Sequence, residues 1–123
     1  MRGLAPRIVL AYTCGVAEDV FERLARCTGF DWDEGNAPKL RERHEVSQSE
    51  CEQVFLAEPL LVAWDERHSQ HEERWAALGR TFGGRGLVVV FTVRGDKIRP
   101  ISARDMSRRE RQRYAEAEAE DDA

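Results

Sequence analysis

The pattern of apolar and polar positions predicts helices in the first half of the chain and strands in the second. Apolar residues recur at helical spacing over residues 16–27, which indicates a short helix. Residues 30–33 alternate apolar and acidic side chains, as a short strand does. Asp33 is placed to cap a helix over residues 34–44, and a Ser-x-x-Glu capping box opens another over residues 47–55.

Four strands are predicted after Pro59, which ends the helical half. They cover residues 60–64, 74–81, 87–94 and 97–104. Tight glycine-containing turns join the last three as successive hairpins, so the strands form an antiparallel meander. Residues 87–94 are β-branched on both faces, which places that strand at the centre of the sheet.

A second capping box, Ser107 to Glu110, opens a C-terminal helix that runs through Tyr114. The predicted fold class is therefore α+β. It comprises a small antiparallel β-sheet with two helices before it and one C-terminal helix after it.

Pro100 interrupts the last predicted strand, because proline has no N–H for the ladder. We expect a bulge or an unpaired edge at this point. Arg99 and Arg104 are five positions apart, so an unbroken strand would place them on opposite faces. A bulge at Pro100 would bring both to one face.

The chain has 123 residues, a common size for a single domain. We expect that domain to span residues 29–114. Residues 1–28 are interpreted as an N-terminal extension or short helix, with a misassigned start as one explanation, and residues 115–123 as a disordered acidic tail. The apolar stretch near the start resembles a short signal peptide, but polar residues interrupt it. Three cysteines without C-x-x-C spacing are typical of reduced thiols, so we expect a cytoplasmic protein.

The net charge of −4 conceals a basic second half. Residues 72–114 contain eleven basic and five acidic side chains, whereas residues 115–123 are acidic. A basic surface indicates an anionic partner, and nucleic acid is the first such partner to consider. The alternative is that these arginines are solvated and pair with nearby carboxylates.

Arginines on the predicted meander form the first candidate site. Guanidiniums held by neighbouring strands can bind one phosphate without a metal ion. The arginines concerned are Arg74, Arg94, Arg99 and Arg104, followed by those of the C-terminal helix. Tyr114 either packs in the core or directs its hydroxyl at this array.

Two histidine-containing segments are the other candidates. His44, with Lys39 and Arg43, lies near a helix C-terminus, where it acts either as a cap or in proton transfer. His68 and the nearby Glu73 belong to a polar segment that has too few ligands for a closed metal site. We therefore expect His68 to be a proton-transfer group or a solvated loop residue, and we predict neither a metal nor a nucleotide cofactor.

Several short motifs over residues 30–114 resemble the BrnT toxin family of type II toxin–antitoxin systems. They are Phe-Asp-Trp-Asp-Glu at 30–34, Arg-His at 43–44, His-Ser at 68–69, Glu-Arg at 73–74, Ile-Ser-Ala-Arg at 101–104 and Glu-Arg-x-x-Tyr at 110–114. The last two are the most specific. Glu45 departs from the family pattern, which has glycine there and would end the helix more easily in the left-handed region. Arg43 stands where lysine is usual, and Asn36 where many members carry lysine.

The resemblance implies a fold similar to RelE-type ribonucleases and an endoribonuclease activity that slows growth. The RNA would supply its own 2′-hydroxyl as nucleophile, without metal. The residues assigned to catalysis are His68, Glu73, Arg74, Arg99 and Arg104. Those assigned to substrate binding are Lys39, Arg43, His44, Arg94 and Tyr114.

The implied partners are the RNA substrate and a BrnA-like antitoxin, a small DNA-binding protein that covers the toxin. DNA would be contacted only through that antitoxin, and no membrane partner is implied. The assembly would be a homodimer or a toxin–antitoxin heterotetramer.

Two other functions stay open on the sequence alone. A non-catalytic nucleic-acid-binding or accessory module would use the same basic face and leave bound RNA intact. A scaffold with an arginine-rich face would bind an acidic protein instead of RNA.

Overall fold

The computed structural model describes residues 8–10, 16–65 and 72–121. Within these ranges the elements are β1 (Ile8–Leu10), α1 (Val16–Ala25), β2 (Gly29–Phe30), α2 (Ala37–His44), α3 (Gln48–Val54), β3 (Leu60–Trp64), β4 (Trp75–Arg80), β5 (Gly86–Arg94), β6 (Lys97–Asp105) and α4 (Arg108–Asp121). The predicted α+β class is confirmed. None of the helices in these ranges is long and apolar enough to cross a membrane.

The strands form one sheet in the order β1-β3-β4-β5-β6-β2. Strands β3 to β6 pair antiparallel in succession, which confirms the predicted meander. Both edge strands run parallel to their neighbours: β1 pairs with β3, and β2 pairs with β6. The edge strand β1 was not predicted, because its three residues carry too short a pattern to be distinguished from the surrounding apolar stretch.

Three helices, α1 to α3, cover one face of the sheet, which we call the first face. Cys51, Val54 and Phe55 of the α3 segment are buried there, as their spacing predicts. The Phe55 ring packs edge-on against Phe91 of β5, with centroids 5.0 Å apart. Most of the buried apolar surface lies between these helices and the sheet, and its burial is the main stabilising contribution.

Helix α4 covers part of the second face. Tyr114 and Ala117 of α4 pack there against Leu61, Leu78 and Val88, forming a smaller core. The expectation of a disordered tail after residue 114 is therefore wrong up to Asp121. Burial of Ala117 and the contact of Glu118 with Arg80 hold this part of α4 on the sheet.

Both predicted capping boxes are present. Ser47 and Glu50 exchange side-chain and backbone hydrogen bonds at the start of α3, and Ser107 and Glu110 do the same at the start of α4. The prediction for α2 is wrong at its start, because Asn36, not Asp33, is the N-cap residue.

Candidate functional site

A bulge in β6 brings Arg99 and Arg104 to the same face of the sheet. Phe91 pairs with Pro100 and Val90 with Ser102, which leaves one extra residue on β6. Arg99 consequently pairs with Thr92 and Arg104 with Val88. These two β5 positions are an even number of residues apart, so both arginines lie on the second face. The predicted bulge at Pro100 is confirmed.

Three arginines surround Thr92 at one end of the second face. Arg99 is its partner on β6, and Arg94 follows two residues later on β5. Arg74 precedes Trp75, the partner of Phe91, and therefore lies beside Thr92 on the other side. The Thr92 hydroxyl donates a 2.7 Å hydrogen bond to the Glu73 carbonyl, which fixes this juxtaposition. We call Arg74, Arg94 and Arg99 the arginine cluster.

Arg99 is held by carboxylates from the segment after β2. Its two Nη atoms each lie 3.0 Å from an oxygen of Asp33, and Nη1 lies 3.4 Å from Asp31. The Arg99 side chain is only 11% exposed. Hydrogen bonds from Arg99, and then from the Gly35 N–H, hold the pKa of Asp33 below its usual value. The ion pair also explains why Asp33 does not cap α2.

Glu72 provides a third carboxylate at the arginine cluster. Its Oε1 lies 3.3 Å from Arg94 and 3.6 Å from Arg74. Three carboxylates therefore face three guanidiniums. A phosphate that bound here would compete with Glu72 for Arg74 and Arg94.

Arg104 lies at the other end of the same face. Along β5 its partner is four positions from that of Arg99, a separation of about 13 Å. Its Nη atoms lie 2.7 and 2.9 Å from the Glu110 carboxylate. This pair lowers the pKa of Glu110 to about 2. Small and partly exposed side chains occupy the sheet between the two ends, namely Ala76, Val90 and Ser102.

Two predicted site residues lie elsewhere. Glu73 binds Arg23 of α1, with Oε1 2.8 Å from Nη1, and so turns towards the first face. Tyr114 is 1% exposed, and its hydroxyl donates to the Pro59 carbonyl in the smaller core. The expected contact of Tyr114 with substrate is not supported, because the alternative of core packing describes its position.

The predicted residues of α2 are also separate from the arginine cluster. Lys39 and His44 are exposed on this helix, which packs on the first face and along β6. The His44 carbonyl accepts a 3.1 Å hydrogen bond from Arg85. The Arg43 side chain and all of His68 lie outside the described part of the chain.

Arg85 connects three elements, although the sequence predicted only the turn in which it lies. Its guanidinium binds the carboxylates of Asp105 and Glu50 and the carbonyls of His44 and Glu45. Arg85 thus ties the end of α2 and the start of α3 to the end of β6. No sequence motif pointed to this role, because the partners come from distant segments.

The thiol of Cys51 is not suited to nucleophilic chemistry. Cys51 is fully buried, and burial raises its pKa to about 12, so the thiolate is scarce at neutral pH. Among the residues that the structure describes, no three His, Cys, Asp or Glu side chains are grouped to hold a metal ion. The charged groups described on the second face are its arginines and the carboxylates that bind them.

Comparison with known proteins gives one result for this chain. A search of curated proteins found no match. A family model described as the ribonuclease toxin BrnT of type II toxin–antitoxin systems matches residues 32–110. This span begins just before the Asp33–Arg99 pair, contains the arginine cluster and ends at Glu110. Since it covers well over half of the sequence, the chain belongs to the BrnT family of ribonuclease toxins.

Proposed function

We propose that this toxin is a metal-independent endoribonuclease in which the substrate's own 2′-hydroxyl attacks the adjacent phosphate. The attack forms a new 2′-oxygen–phosphorus bond and expels the 5′-oxygen of the next nucleotide. The products are a 2′,3′-cyclic phosphate and a 5′-hydroxyl. Membership of a ribonuclease family supports the substrate class.

The placement of the arginine cluster around Thr92 is the observation that carries this proposal. The pentacoordinate phosphorane has more negative charge than the ground-state phosphodiester. Guanidiniums fixed by three adjacent strands can stabilise that charge, which a metal ion does in other nucleases. Arg74 and Arg94 are better placed than Arg99 to contact phosphate, because Arg99 is nearly buried by its two aspartates.

Arg99 is accordingly proposed as the residue that positions the cluster. Its bidentate pair with Asp33 joins β6 to the segment before α2. Arg104, at the other end of the face, would bind another phosphate of the same strand. Its contact with Glu110 would be exchanged for that phosphate.

Proton transfer is assigned to His68, in the segment between β3 and β4. Glu72, the first described residue after that segment, contacts Arg74 and Arg94. Glu73 is the weaker proposal for this role, because its carboxylate binds Arg23 on the side of α1. An imidazole suits a step that removes one proton and returns another near neutral pH.

A labelled-RNA assay in EDTA tests the proposal. We expect fragments that end in a cyclic phosphate, identified by mass spectrometry, at a rate that the chelator does not change. Arg74→Gln and His68→Gln should each lower the rate by about 10²-fold, and Arg26→Gln, an exposed arginine outside the site, should leave it unchanged. Thermal melting confirms that each variant is folded.

Two results would contradict this scheme. Cleavage that disappears in EDTA and returns with Mg²⁺ would exclude the metal-independent mechanism. Binding that leaves RNA intact would favour the non-catalytic nucleic-acid-binding module.

Type II systems pair the toxin with a protein antitoxin, so this family implies such a partner. We propose that the partner is BrnA-like, a small DNA-binding protein. The product of a neighbouring short gene should then form a stable complex with the chain and stop RNA cleavage. A neighbouring product that binds without protecting RNA would contradict this assignment.

A further inference from the structure

Charges along α4 are ordered against the helix dipole. The first half carries Arg108, Arg109, Arg111 and Arg113, and the second half carries Glu116, Glu118, Glu120 and Asp121. The N-terminus of a helix is its positive end, where acidic side chains are stabilising and basic ones are not. The helix dipole therefore does not account for the four arginines, although the acidic Glu110 in the first turn agrees with it.

The arginine-rich half of α4 begins beside Arg104. Glu110, the partner of Arg104, also lines a shallow hollow along the helix, together with Ser107, Arg109, Gln112, Arg113 and Glu116. Arg109 and Arg113 are one turn apart and share a side of α4. Both are exposed, as is Arg108. An anion bound at Arg104 would thus have further guanidiniums next to it, over about 8 Å of helix.

We propose that Arg108, Arg109 and Arg113 bind the backbone phosphates of an RNA strand as it continues past Arg104. This inference rests on the proposed function, since it takes RNA as the ligand. It adds that the substrate is an extended single strand, which occupies the second face and the first half of α4 together. Charged, wet contacts of this kind need no apolar centre.

A second copy of the chain is the other occupant that charge allows, because two antiparallel α4 helices would place basic halves against acidic ones. The side-chain contacts of α4 disfavour such a dimer. Glu118 is engaged by Arg80, and Arg111 donates to the Met106 carbonyl. The large apolar side chains exposed in the described ranges, Leu56 and Phe82, lie outside α4. A dimer through this helix would therefore lack an apolar interface core.

Fluorescence anisotropy with labelled 2′-O-methyl RNA tests the proposal, because this RNA has no free 2′-hydroxyl to react. We expect the double change Arg109→Gln and Arg113→Gln to weaken binding of a strand of about twelve nucleotides roughly tenfold. The slope of log affinity against log salt should fall by about 0.7 for each lost phosphate contact. Binding of a strand of about three nucleotides should not change. The control, Glu116→Gln with Glu120→Gln, should not weaken binding.

An unchanged salt slope in the arginine variant would overturn the inference. So would equal effects of both double changes accompanied by loss of a dimer in sedimentation, which would assign the surface to a second copy. The assay is independent of cleavage. A chain that binds through α4 but does not cut RNA would defeat the proposed function alone, and one that cuts RNA with an unchanged slope would defeat this inference alone.

Discussion

Glu45 ends α2 in a backbone conformation that L-residues rarely adopt. Its φ of 54° and ψ of 42° lie in the left-handed region. Its N–H still reaches the Arg41 carbonyl, so the turn is formed at the expense of backbone strain. Glu45 stands where the family resemblance implies glycine, which is the residue that such a helix end favours.

We predict that Glu45→Gly stabilises the protein by about 1 kcal/mol, since glycine adopts this conformation without a Cβ clash. The free energy of unfolding in urea measures the effect. Glu42→Gly, within the same helix, is the matched control and should destabilise by about 1 kcal/mol. A loss of stability in both variants would contradict the strain at Glu45.

The Glu110–Arg104 pair predicts a pH dependence of stability. The pKa of Glu110 is about 2 in the folded chain, against an ordinary value of 4.5. Its stabilising effect is therefore complete above about pH 4.5 and is lost as the pH falls towards 2. Glu110→Gln keeps the capping hydrogen bond but removes the charge.

We expect Glu110→Gln to be about 1 kcal/mol less stable than the parent at pH 7, after allowance for solvent screening. That difference should narrow between pH 4.5 and pH 2, because a protonated Glu110 also lacks the charge. Urea unfolding at both ends of the range measures it, with Glu116→Gln as an exposed control on the same helix. A difference that does not depend on pH would rule out the ion pair as its source.

At the scale of elements, α3 packs on β4 so closely that Gly79 has no room for a side chain. A Cβ there would lie 2.8 Å from both the Val54 carbonyl and the Ala57 Cβ. Contact between backbone and backbone at this point sets the distance of the helix from the sheet. Neither atom is at the end of a flexible side chain, so relaxation requires the helix to move.

Gly79→Ala should therefore destabilise the protein by about 2 kcal/mol. Gly83→Ala is the matched control, because the nearest atom to its Cβ is 3.9 Å away, and its stability should stay within about 0.5 kcal/mol of the parent. Thermal melting of the two variants and the parent measures these differences in stability. Equal stabilities would show that α3 can shift at little cost.

Elements with strong local signals were predicted from the sequence. Both capping boxes, the meander and the bulge at Pro100 depend on residues within a few positions of one another. The edge strand β1, by contrast, exists through pairing with a distant segment, and the end of α4 is held by Arg80. Tertiary contacts of this kind produce no periodic hydrophobic pattern in the local sequence, so they cannot be predicted from it.

At the scale of the whole molecule, the acidic C-terminal segment completes the second core. Removal of residues 116–123 deletes Ala117 and the Glu118 partner of Arg80, and it exposes part of Tyr114. We expect the free energy of unfolding to fall by about 2 kcal/mol. Glu120→Gln, an exposed change in the same segment, should have no effect. If the truncated protein were as stable as the parent, residues 116–123 would contribute nothing to the stability of the fold.

The candidate site was predictable only in part. The arginines of β5 and β6 were identified from strand periodicity, and the bulge explains why Arg99 and Arg104 share a face. Sequence reasoning did not find the aspartates that hold Arg99, although their alternation in Phe-Asp-Trp-Asp places both on one side of an extended segment. The sequence did not show that the adjacent residues Glu73 and Arg74 lie on opposite faces of the sheet. Only the contact with Arg23 reveals that Glu73 turns towards α1.

The two parallel edge strands have a consequence for how the toxin is made. Both come from the first thirty residues, yet β1 joins the sheet beside Leu60 and β2 beside Lys97. During synthesis the beginning of the chain leaves the ribosome first and then has no partner until β3 and β6 have followed it. The sheet is complete, and the aspartates after β2 reach Arg99, only when most of the polypeptide has been translated. The arginine cluster of a nascent BrnT chain is therefore assembled only late in synthesis, once both edge strands have found their partners.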